Sequence, residues 1–94
     1  MALKTTRWDA VELLTTPEHV AAYLEVAFED GDPALISYSL GVAARAKGMA
    51  GLSRKTGLSR QTLYRALSDE GNPNLTMVIK VMEALGLKLK AVST

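Results

Sequence analysis

The sequence predicts an all-α fold of five or six short helices, built around a central helix-turn-helix and ending in a short C-terminal β-strand. Three features carry that reading. Apolar residues recur at spacings of three and four through most of the chain, which is the period of an amphipathic helix. Side chains that cap helices stand before these runs, at Thr16, Asp32, Ser59 and Asn74, and glycines follow them. Only in the last residues does the apolar pattern change to the period of a strand.

Taken in order, Asp9 caps a helical turn through Ala10 to Leu14 with Trp8 beneath it, and Met1 to Arg7 are expected to fray. Thr16-Pro17 opens a helix to about Asp30, because proline at the first helical position loses no hydrogen bond, and Gly31 ends it. Val20, Leu24, Ala27 and Phe28 line its inner face, with the glutamates opposite. Asp32-Pro33 repeats the start signal for a helix carrying Leu35, Tyr38, Val42 and Ala46, closed by Gly48 as a left-handed cap. Gly41 inside it marks close helix packing.

From Met49 to Leu67 the helical period breaks once, at Gly57, which predicts two short helices and a tight turn. Turn formers fill Asp69 to Pro73, and Asn74 caps a last helix bearing Leu75, Val78, Ile79, Met82 and Leu85 until Gly86. Leu87 to Val92 then alternates apolar and basic residues like a half-buried strand. Such a strand needs a partner. Either a second copy supplies it through Leu87, Leu89 and Ala91, giving a two-fold homodimer with a shared ribbon, or the segment is a tail lying back on its own domain.

The 94 residues suit a single domain. It divides into an acidic N-terminal extension (1–32), a helical core (33–86) and the C-terminal strand or tail (87–94). With no cysteine, disulfides and thiolate metal sites are excluded. The N-terminus lacks the layout of a signal peptide, and no apolar run approaches a membrane span, so a soluble cytoplasmic protein is expected.

The net charge of +1 conceals a strong segregation. Seven acids (Asp9, Glu12, Glu18, Glu25, Glu29, Asp30, Asp32) face only Lys4 and Arg7 in residues 1–32. Residues 33–68 hold six bases (Arg45, Lys47, Arg54, Lys55, Arg60, Arg65) and no acid. A basic middle suits a polyanion, since lysine and arginine displace the counterions condensed on phosphates, although a solvated helix face would carry the same charges.

In a helix-turn-helix the first helix braces the second, whose N-terminal half enters the major groove of duplex DNA. Here Leu52 and Thr56 would face the second helix, Gly57 would supply the positive-φ turn, and Leu58, Leu63 and Ala66 or Leu67 would be buried. That leaves Arg60, Gln61, Thr62, Tyr64 and Arg65 outward as candidates for base readout. Arginine can bond guanine, and glutamine adenine, in bidentate fashion. Ser53, Arg54, Lys55, Thr56, Ser59 and Asn74 are the candidates for phosphate contact, which adds affinity with little sequence preference. A helical hairpin with charged outer faces remains the structural alternative.

Catalytic chemistry finds no support. His19 is the only histidine and has no partners for a metal site, and no phosphate loop or nucleophile motif occurs. The aromatic residues are spread over different helices, with only Tyr64 on the basic surface, which disfavours stacking on single-stranded bases. A binding protein is expected, not an enzyme, with no cofactor and no metal.

The run Arg45-Ala46-Lys47-Gly48-Met49, the block Thr56-Gly57-Leu58-Ser59-Arg60-Gln61-Thr62-Leu63-Tyr64-Arg65-Ala66-Leu67, and Gly71-Asn72-Pro73 resemble the addiction-module antidote family of HigA-like antitoxins. The likeness continues through Tyr23-Leu24, Glu29 to Leu35, and Ala84 to Leu87. It departs at Ala50-Gly51-Leu52-Ser53, where the family has bulkier or more helix-favouring residues, so the bracing helix is expected to be soft. The resemblance implies a lambda-repressor-like core and a bacterial antitoxin that binds a small RelE/ParE-like toxin and represses their shared operon. A toxin that attacks RNA is basic where it meets RNA. Glu18, Glu25, Glu29, Asp30 and Asp32 are therefore candidates for toxin contact, unless they serve only helix N-termini and solubility. A stand-alone phage-type repressor and a helical interaction protein are the competing readings.

Overall fold

The computed structural model describes residues 14–94. They form α1 (Pro17–Asp30), α2 (Pro33–Lys47), α3 (Met49–Thr56), α4 (Arg60–Ala66) and α5 (Leu75–Ala84). The expected cap at Asp9, the turn above Trp8 and the fraying of Met1 to Arg7 fall outside the described residues. No described helix is long and apolar enough to cross a membrane.

The capping chemistry places the helix starts where the sequence puts them. The first amides of a helix have no intrahelical acceptor. Thr16 accepts from the His19 amide at 3.2 Å, Asp32 from Ala34 at 3.1 Å, Ser59 from Thr62 at 3.1 Å, and Asn74 from Met77 at 2.8 Å. Each such bond contributes about 1 kcal/mol. α3 has no side-chain cap, because Gly48 closes α2 and opens α3 at once. Its φ of 111° and ψ of 112° lie outside the left-handed helical well expected there, since the chain must turn straight into a second helix.

α2 is the central element, against which α1, α3 and α4 all pack, while α5 packs on α3. Leu40, Val42, Ala43 and Ala44 of α2 are fully buried, joined in the core by Leu24, Leu52, Leu63, Leu67 and Val81. Burying each large aliphatic side chain contributes roughly 1.5–3 kcal/mol. Ser37, Ser39, Gly41, Ala43 and Ala44 keep α2 slim enough to be surrounded. Gly41 marks the tightest approach: a Cβ there would overlap the Leu67 carbonyl oxygen beyond the end of α4.

Tyr23 of α1 is half-buried and hydrogen-bonds Ser39 of α2. Burial raises its phenol above the ordinary value of 10.0, the neighbouring Tyr38 adds to that, and Ser39 and Arg45 oppose it. The folded state thus holds Tyr23 neutral more firmly than the unfolded chain does. This contribution is complete below pH 10 and is lost as the pH rises beyond it. Urea midpoints taken at increasing pH above about 10 should fall, and less steeply in Tyr23→Phe.

Two expectations are corrected at the C-terminal end. No strand forms among the described residues, and 87–94 have no regular structure. The Leu87 amide donates to Met82 O at 2.8 Å and the Gly86 amide to Glu83 O at 3.0 Å, a Schellman closure that turns Leu87 back onto the core. Strand hydrogen bonds require a neighbouring edge, and the described residues offer none. Leu89 and Ala91 lie exposed beyond it. In α5 the predicted stripe is only partly buried. Val81, Met82 and Leu85 enter the core, while Leu75 (64% exposed) and Ile79 (38%) remain on the surface.

Candidate nucleic-acid interface

The basic middle of the chain becomes a pair of short helices, α3 and α4, joined by Gly57, Leu58 and Ser59. Gly57 takes φ 76° and ψ 8°, the left-handed conformation that costs other residues about 1 kcal/mol or more, and its amide closes α3 on Ser53 O at 2.9 Å. Leu52, Thr56, Leu63 and Leu67 are buried at the contact, with Leu58 and Ala66 partly so. This fixes which face of α4 is left outward.

That face carries Arg60, Gln61, Tyr64 and Arg65, all exposed and spaced at one and four residues, so they stand side by side on the helix. Thr62 is half-buried, and its hydroxyl pairs with that of Ser59 at 2.8 Å, so it belongs more to the cap than to the outer surface. Arg54 and Lys55 project from the last turn of α3. Packing of α5 on α3 brings Lys80 to the same side, where an open cleft is lined by Lys55, Thr56, Lys80, Glu83 and Ala84. Nothing in the linear pattern couples Lys80 to Lys55, because the link is made by tertiary contact alone.

Three of the candidates for phosphate contact are engaged within the protein, and one cation of the basic segment is drawn inward. Thr56 is buried, its hydroxyl donating to Leu52 O at 2.8 Å and accepting from the Leu58 amide at 3.2 Å, so it is not a surface group for phosphate. Ser53 is half-buried and donates to Leu58 O. Asn74 is exposed, but its Oδ1 is committed to the α5 cap, which leaves its amide nitrogen for a ligand. Arg45 is half-buried beside Tyr23, so it belongs to the α1–α2 contact and not to the exposed cations.

The acidic candidates separate in the same way. Glu18, Glu25 and Glu29 share the outward face of α1 with Ala22 and with Val26, which is 69% exposed. Asp30 is exposed at the end of that helix, and Asp32 caps α2. No lysine or arginine lies in α1 to offset these carboxylates. Among the described residues, no group of three histidine, cysteine or acidic side chains is placed to hold a metal ion.

Gly51 lies in α3 with ample room, since a Cβ would meet only Arg54 Nη2 at 3.7 Å. Glycine inside a helix costs roughly 0.5–1 kcal/mol relative to alanine. Gly51→Ala should therefore raise the melting temperature by roughly 2–8 °C, read from a thermal circular-dichroism scan.

Comparison with known proteins adds a family to this geometry. The family model described as "Probable addiction module antidote protein" matches residues 4–93. An uncharacterised protein of Haemophilus influenzae is 41% identical over 83 residues, a match that spans 88% of this chain and 86% of the relative. No solved structure matches. A match that spans all five described helices, the basic helical pair included, means that this chain belongs to the family of probable addiction module antidote proteins.

Proposed function

We propose that the protein is the antitoxin of a bacterial two-gene module, a HigA-like helix-turn-helix protein that binds a small basic RelE/ParE-like toxin and represses their shared operon. It acts as a cytoplasmic binding protein, not a catalyst. In this reading α3 and α4 are the bracing and reading helices. The observation that carries it is the outward face of α4, where Arg60, Gln61, Tyr64 and Arg65 stand together on a helix whose other face is locked into the core. Those groups match the donors and acceptors of base edges in the major groove. Arg54, Lys55, Ser59 and the Asn74 amide flank them for the phosphates.

A single pair of such helices reads only a half-site, so the protein works as a homodimer on two half-sites about one helical turn apart. The acidic face of α1 is directed at the toxin and leaves α4 free for DNA. Its carboxylates complement a surface built to hold RNA.

Co-expression with the small reading frame beside its own gene tests the proposal. Rescue of growth together with co-elution from a sizing column supports the antitoxin role. A harmless neighbour that forms no complex, combined with tight binding to the protein's own promoter, would instead favour a stand-alone repressor.

A further inference from the structure

We infer that Ser53 and Thr56 are positioning residues that set the angle at which α4 leaves the turn, and so govern how well α4 discriminates between DNA sequences. The inference rests on the operator-binding reading above. Leu58 is the middle residue of the turn, and among the described residues neither its amide nor its carbonyl has a backbone partner. Both are held by side chains from the last turn of α3. Ser53 Oγ donates to Leu58 O, and Thr56 Oγ1 accepts from Leu58 N at 3.2 Å.

Thr56 is itself fixed, since the same hydroxyl donates to Leu52 O at 2.8 Å and the side chain is buried. The clamp is therefore anchored in the helix that contacts the core, and it ends one residue before Ser59, the cap of α4. Gly57, with φ 76°, contributes no side chain and little intrinsic stiffness to the turn. The two hydroxyls thus hold the peptide groups that separate α3 from α4. Bidentate contacts between Arg60 or Gln61 and a base tolerate little angular error, whereas phosphate contacts are less demanding. Loss of the clamp should lower discrimination more than overall affinity.

The test compares wild type, Ser53→Ala, Ser53→Thr and Thr56→Val on a duplex of the protein's own promoter region and on a scrambled duplex of equal length. Binding is measured over a series of salt concentrations and well below each melting temperature. Ser53→Ala should lower the promoter-to-scrambled affinity ratio about tenfold, equivalent to about 1.4 kcal/mol, with the salt slope unchanged. Ser53→Thr, which keeps the hydroxyl, should restore the ratio, and Thr56→Val should resemble Ser53→Ala. If Thr56→Val does not fold, the two Ser53 variants carry the test.

Equal losses on both duplexes, with the salt slope unchanged because serine carries no charge, would make Ser53 a phosphate contact and overturn the inference. So would a melting-temperature shift with the ratio intact, because that is the mark of a purely structural bond. A wild-type protein with no preference for its promoter overturns the operator reading itself and this inference with it. Retained wild-type preference with an unaffected Ser53→Ala removes the clamp alone.

Discussion

Gly41→Ala should destabilise the fold by about 3 kcal/mol, the upper end of the usual range for forced overpacking. The added Cβ would overlap the carbonyl oxygen of Leu67, a backbone atom that cannot rotate away as a side-chain tip can. Leu67 is also a core residue, with 1% of its surface exposed, so moving its backbone disturbs the packing of α4 against α2. For a domain of this size such a loss lowers the melting temperature by roughly 12–24 °C. A thermal scan of Gly41→Ala beside Gly51→Ala gives an internal control. The same methyl group added to two helical glycines should shift the melting temperature in opposite directions. A Gly41→Ala protein as stable as wild type would mean that α2 and α4 do not approach as closely as described.

On the operator-binding function proposed above, Arg60→Ala should cost about 1–3 kcal/mol on the preferred operator and relax preference at one base-pair position, with much less effect on scrambled DNA. Arg60 is the first residue of α4, exposed, and directly follows the Ser59 cap, where a reading helix comes nearest the base edges. Arg54→Ala provides the contrast. From the last turn of α3 it should weaken binding to all duplexes alike and reduce the salt slope by about one, the signature of one lost phosphate contact. Titrations of both variants at several salt concentrations separate the two roles. Identical losses on specific and scrambled DNA for Arg60→Ala would remove it from base readout.

The local features of this fold are strongly written in the chain. Helix starts at Pro17, Pro33, Arg60 and Leu75 agree with their caps because capping is settled within three residues, independent of the rest of the molecule. The turn at Gly57 was legible for the same reason. So was most of the outward set: Arg60, Gln61, Tyr64 and Arg65 point away as the buried Leu63 and Leu67 require by helical period, whereas Thr62, expected with them, is half-buried and paired with Ser59.

The hydroxyls were harder to place. Ser53 and Thr56 have the composition of phosphate contacts, and the pattern could not distinguish a hydroxyl facing solvent from one returning to the backbone, which serine and threonine do readily. Only the fold of the turn onto α3 put Leu58 within reach of both.

The helices, their order, the tight turn and the segregation of acidic from basic segments are legible in the chain alone, because caps, periodicity and charge act over a few residues. Tertiary structure decided what depends on which surfaces meet. It placed Lys80 beside Lys55, drew Arg45 inward beside Tyr23, left Leu75 and Ile79 uncovered, and folded Leu87 back onto the core instead of into a strand. An amphipathic pattern states that a face can be buried, but whether it is buried depends on a neighbouring element arriving there, and that is a property of the packed chain.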